Sequence, residues 1–129
     1  MLNAKNKPTL ILGASEKPNR ISFQVANQLI DRGEEVFLIG RGNEVNGVKI
    51  NEDQIAIENL DTVSLYLNAQ RQKDYYEYII GLNPKRVIFN PGAENPELME
   101  VLEKHMATSG ETIDMAELLK KLKEKKKNN

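Results

Sequence analysis

The sequence contains no cysteine and no tryptophan, and a single histidine. The first absence removes disulfides, thiolate metal sites and thiol nucleophiles at once, and it suits a reducing compartment. The lone His105 lies in a helical stretch next to Met106, so it serves packing or surface better than acid-base chemistry. Long apolar runs are also missing: none approaches the roughly 18 residues of a membrane span, and Met1 to Lys7 has no signal-peptide core. Nor is there an excess of charge, because 18 basic residues face 19 acidic ones for a net charge of −1. General affinity for nucleic acid or membrane is therefore not expected, and the chain reads as cytoplasmic.

What is present describes one ordinary globular domain. The 129 residues are 40% hydrophobic and 29% charged, enough apolar surface at this length to close a core. Short apolar runs at Thr9 to Leu12, Val36 to Ile39, Val63 to Leu67 and Val87 to Phe89 read as strands buried on both faces, with a weaker fifth at Thr112-Ile113.

Helical periodicity fills the gaps. Ser22, Val25, Ala26, Leu29 and Ile30 share one face and stop at Gly33. Tyr75, Tyr76, Ile79 and Ile80 share another, ending near Gly81 before Asn83-Pro84. A third helix opens at Asn95-Pro96-Glu97 as cap, first-turn proline and dipole-matched acid, with Leu98, Val101, Leu102 and Met106 inward. A last one starts at Asp114, carries Leu118, Leu119 and Leu122, and runs into lysines.

The stretch Arg41 to Leu60 does not fit this alternation. Asn46-Gly47 between Val45 and Val48 predicts a tight turn with a minor extended segment at Val48 to Ile50, and a second crossover helix that is short or missing.

Alternating strands and helices predict an α/β fold: a single-domain, Rossmann-like three-layer sandwich on a five-stranded parallel sheet of order 3-2-1-4-5. The domain spans 1–114, and 115–129 is a C-terminal helix with a lysine-rich tail.

Ligands of such sheets bind beyond the carboxyl ends of the strands, where strand order reverses. Two turn-rich loops are expected to meet there, Gly13 to Arg20 and Asn90 to Asn95. Gly13 permits a tight turn, Ser15 offers a hydroxyl, the following helix presents free amides, and Lys17 and Arg20 add charge. The glycine-rich dinucleotide fingerprint is absent, since Ser15 and Pro18 stand at its second and third glycines.

At the end of strand 2, where NAD-binding folds place an acid for the bare ribose, the chain has Gly40-Arg41. A guanidinium there suits a phosphorylated ribose, as in coenzyme A (CoA) or NADP. Asn90 and the amides of its loop are candidate pyrophosphate or pantetheine contacts, although Asn-Pro-Gly is equally a turn former and Asn95 a helix cap. Glu94 is the one carboxylate expected near the crevice, without a partner for catalysis. The tyrosines at 75, 76 and 78 read as core and surface of one helix.

The residues Gly13-Ala14-Ser15, Lys17-Pro18, Arg20, Asp61-Thr62-Val63 and Asn90-Pro91-Gly92-Ala93-Glu94-Asn95 resemble the small predicted CoA-binding proteins. These are similar in turn to the N-terminal domain of the succinyl-CoA synthetase alpha subunit. The resemblance covers about residues 8 to 105.

It implies that Gly13, Ala14, Ser15, Lys17 and Arg20 hold the diphosphate and that Gly40 and Arg41 meet the adenosine end. Leu67, Asn68, Asn90, Pro91 and Gly92 would border the pantetheine. The chain departs from many relatives after strand 5, where Met115-Ala116-Glu117 stands instead of a cysteine, and the synthetase's phosphohistidine has no counterpart.

The leading expectation is a non-catalytic module that binds CoA or an acyl-CoA, with no metal. The alternatives are an NADP-dependent oxidoreductase or a subunit of one, and a protein with an empty crevice that acts by dimerising through a sheet edge or the third helix.

Overall fold

The computed structural model describes residues 7–107. Six strands, β1 (Thr9–Ser15), β2 (Val36–Arg41), β3 (Glu44–Val45), β4 (Val48–Asn51), β5 (Thr62–Leu65) and β6 (Arg86–Phe89), form one sheet in the order β3-β4-β2-β1-β5-β6. Every neighbouring pair is parallel except β3 with β4. The helices are α1 (Ile21–Asp31), α2 (Ala69–Gln72), α3 (Tyr76–Leu82) and α4 (Pro96–Ala107), with a 3-10 turn at Lys73–Tyr75 between α2 and α3.

The expected five-stranded parallel sheet is thus corrected to a mixed, six-stranded one. Asn46 and Gly47, at φ 48° and 84°, close a two-residue hairpin that pairs β3 with β4 antiparallel. β4 then turns parallel to β2 and takes the outer place that the Val63 to Leu67 run was expected to fill. No helix intervenes between β2 and β4, or between β4 and β5.

The Val63 to Leu67 run consequently takes the place beside β1, and the Val87 to Phe89 strand moves one place outward. β5 lies against β1, and β6 lies beyond β5. The weaker strand at Thr112-Ile113, the helix from Asp114 and the lysine tail fall outside the described residues.

Alternation along the strands splits the core in two. Leu10 and Leu12 of β1 with Val63 and Leu65 of β5 face Tyr76, Ile79 and Ile80 of α3 and Leu98, Val101 and Leu102 of α4. Ile11 of β1 and Leu38 of β2 face Ala26 of α1. Burying each such Leu or Ile contributes roughly 1.5–3 kcal/mol.

Helix boundaries follow the predicted chemistry. Past α1, the Gly33 N–H donates to Ile30 O at 3.0 Å and the Glu34 N–H to Leu29 O at 3.1 Å, a glycine-terminated end. Asn95 Oδ1 accepts the Leu98 N–H at 3.2 Å, so α4 begins where its cap predicts. His105 Nε2 lies 3.0 Å from Asn83 Oδ1, joining α4 to the left-handed residue that ends α3.

A cationic cleft at the switch point

β1 and β2 run side by side to their carboxyl ends, where Ala14 pairs with Gly40 and Ser15 with Arg41 past a bulge at Gly13. The approach is closest at Gly40, where a Cβ would lie 2.0 Å from Ala14 O, so only glycine fits. Gly40 thus has a packing function that its position in the sequence did not reveal.

Beyond Ser15 the chain folds back through two local bonds. The Lys17 N–H donates to Ser15 Oγ at 3.1 Å, and the Arg20 N–H donates to Lys17 O at 3.0 Å. α1 then starts with Arg20 as its cap residue in extended conformation. No side chain caps it, and its first turn holds no acid. The positive end of the helix is therefore open toward any bound anion.

The cleft formed here has a volume of about 780 Å³, within the size range of small-molecule sites. It brings together Gly13, Ala14, Ser15, Lys17, Arg20, Gly40, Arg41 and Leu67 of the expected site residues. Asn68, Asn90, Pro91 and Gly92 do not line it.

The reason is the strand order. With β5 inserted beside β1, the switch point lies between β1 and β5, and the loop after β6 stands one strand further away. Asn90 has a structural task there, its Nδ2 donating to Ser64 Oγ and Leu65 O, both at 2.9 Å. Asn68 Oδ1 accepts the Arg71 N–H at 2.9 Å and caps α2.

Several lining residues were not legible beforehand, among them Glu52, Tyr66, Arg71 and Tyr75. Glu52, just past β4, is the carboxylate in the cleft wall. Glu94 instead accepts the Gly92 N–H at 2.9 Å in the outer loop. Tyr75 was expected only in a core or surface role and faces the cleft, half-buried.

Four cations, Lys17, Arg20, Arg41 and Arg71, therefore oppose one carboxylate. None of the four forms an ion pair with another described residue. Among the described residues there is no cluster of acids and histidine that could hold a metal ion, and no helix long and apolar enough to cross a membrane.

Behind the wall, a buried polar network fixes the loops after β5 and β6. Gln72 Nε2 donates to Leu67 O and to Ala93 O, both at 2.8 Å. Asn95 Nδ2 donates to Gln72 Oε1 at 2.9 Å and to the Tyr76 hydroxyl oxygen at 2.7 Å. That hydroxyl donates to Glu97 Oε1 at 3.1 Å. Burial, chiefly, raises the Tyr76 pKa above its usual 10.0. Leu67, a cleft residue, is thus anchored to α4 through buried amides.

Comparison with known proteins places this geometry in context. A family model described as a CoA binding domain matches residues 7–118. No curated protein matches the chain. The crystal structure of an uncharacterized protein is 48% identical, with 78% of this chain and 84% of that one covered and a TM-score of 0.74. A hypothetical protein from Pyrococcus horikoshii OT3 is 25% identical, with 75% and 70% covered and a TM-score of 0.67. A cell-free product from Thermus thermophilus, 22% identical with 77% of each chain covered and a TM-score of 0.70, shares the fold. A family model that spans most of the sequence, joined to a near relative of the same fold, establishes that the chain belongs to the CoA-binding domain family.

Proposed function

We propose that the protein binds CoA or an acyl-CoA in the cleft, as a module that senses or presents the ligand without catalysing a reaction. The observation that carries this reading is the set of four unpaired cations around the uncapped start of α1. Three phosphate groups on one ligand match such a set, and each charge-assisted bond to phosphate is about twice as strong as a neutral one.

In this reading Ser15, Lys17 and Arg20, with the first amides of α1, hold the diphosphate. Arg41, paired in register with Ser15, addresses the ribose phosphate. The pantetheine leaves past Leu67 over the ends of β5 and β6, where Asn68, Asn90, Pro91 and Gly92 would border it outside the cleft. Among the described residues, no wall hydroxyl is hydrogen-bonded to a side-chain base, which supports a binding role over chemistry.

NADP, with a phosphate on its own ribose, is the competing ligand that Arg41 also suits. Thermal unfolding with CoA, dephospho-CoA, NADP and NAD separates the readings. At 100 times its dissociation constant, a ligand stabilises by about 2.7 kcal/mol. CoA is expected to give the largest shift, and Arg41→Ala is expected to make CoA and dephospho-CoA equal. NADP giving the largest shift, or none of the four giving any, would overturn the proposal.

A further inference from the structure

Arg41 stands between two glycines, one pressed against the end of β1 and the other against the residue that follows it. Gly40 abuts the Ala14 backbone. Gly42, at φ +119°, would place a Cβ 2.7 Å from Cγ of Glu16. The Glu16 carboxylate then reaches further, its Oε1 accepting the Asn43 N–H at 2.8 Å. Ala14, Ser15 and Glu16 therefore run alongside Gly40 to Asn43 as one interlocked unit.

Glu16 is an acid in a loop otherwise devoted to cations. It forms no ion pair with Lys17, Arg20 or Arg41. Its charge is engaged by a backbone amide, and the cations beside it stay available for an anion.

Arg41 is the last residue of β2, and the turn that begins at Gly42, if left loose, would have to be ordered around its side chain when ligand binds, at a cost that lowers affinity. The strap from Glu16 to Asn43 orders this turn in advance. We propose that Glu16 is a positioning residue for recognition of the ligand's ribose phosphate: it holds the turn that follows Arg41 against the phosphate-binding turn, and so sets discrimination between ligands that carry that phosphate and ligands that lack it. This inference rests on the CoA reading given above.

Calorimetric titration of CoA and dephospho-CoA into wild type, Glu16→Ala and Glu16→Gln tests it. The readout is the ratio of the dephospho-CoA to the CoA dissociation constant. Glutamine keeps an oxygen acceptor for the Asn43 N–H and removes only the charge. The ratio is expected to fall about 3- to 10-fold in Glu16→Ala, the order expected when one long side chain must be immobilised on binding. In Glu16→Gln it should stay at or above the wild-type value.

A simple charge effect gives a different pattern, because both variants would then tighten CoA alike. That pattern, or a wild-type ratio in Glu16→Ala, would overturn the positioning role while leaving CoA binding intact. Wild-type protein that binds neither ligand would instead overturn the CoA reading itself.

Discussion

Removing the Asn95 side chain is expected to cost the fold about 1.5 to 5 kcal/mol, mostly through two separable losses. Asn95 is 3% exposed and makes three hydrogen bonds, to Leu98 N–H, Gln72 Oε1 and the Tyr76 hydroxyl. Loss of the helix cap costs about 0.5–2 kcal/mol. Gln72 is fully buried, and its Oε1 would lose the amide that donates to it, at about 1–3 kcal/mol for a stranded acceptor. The third bond adds little, since the Tyr76 hydroxyl still donates to Glu97.

In a domain stabilised by about 5–15 kcal/mol in total, such a loss is large. Urea unfolding followed by circular dichroism should show a lower midpoint for Asn95→Ala with an unchanged slope. Asn95→Asp keeps the acceptor for Leu98 but sets a buried carboxylate against Gln72 Oε1, so it should cost at least as much as the loss of the donors alone. A cost below about 0.5 kcal/mol for Asn95→Ala would mean that the Gln72 amide finds other partners, and that the network does not hold the loops as described.

Gly40→Ala should destabilise the fold by more than about 2 kcal/mol, because the new methyl meets Ala14 O where no side chain can yield. A melting temperature within a degree of wild type would contradict that packing. Stability should also fall at high pH. Tyr76 and Tyr78 have their pKa raised above 10.0 chiefly by burial, so the unfolded chain releases these protons first. Their contribution is complete below pH 10 and drains as pH rises through the folded values. Tyr76→Phe should flatten this alkaline loss in urea titrations, and an unchanged profile would exclude Tyr76 as a source. Lys17→Ala and Arg20→Ala should each weaken CoA binding about tenfold and reduce its salt dependence, read by calorimetry at two ionic strengths. Salt-independent binding would place the phosphates elsewhere.

The sequence carried the local rules of this fold faithfully. Gly33 ended α1, Asn95-Pro96 opened α4, and Asn46-Gly47 closed the hairpin, because each depends on a few residues in succession. Strand order depended on something less local. The stretch from Glu52 to Asp61 has no helical period, and it carries the chain from the outer β4 to β5 without a crossover helix. β4 itself is only four residues long, so Val63 to Leu67 looked like the third parallel strand.

One misplaced strand then moved a loop. With β5 against β1, the loop from Asn90 to Gly92 left the cleft wall, while the segments after β4 and β5 supplied Glu52, Arg71 and Tyr75. The residues of the turn after β1 and at the end of β2 were legible because β1 and β2 are adjacent in any doubly wound sheet. Gly40 was legible only as the end of strand 2, implied by resemblance to meet the adenosine end, and Gly42 was not singled out. Their close approaches to Ala14 and Glu16 exist only once the two strand ends are side by side.

A titration of isotopically labelled protein with CoA, followed by amide resonances, tests the site most directly. Saturable shifts concentrated at Gly13 to Ser22 and at Gly40 to Asn43, with dephospho-CoA losing those around Arg41, are the expected result. Shifts clustered on another face, or no shifts at millimolar CoA, would contradict a CoA site at the ends of β1 and β2.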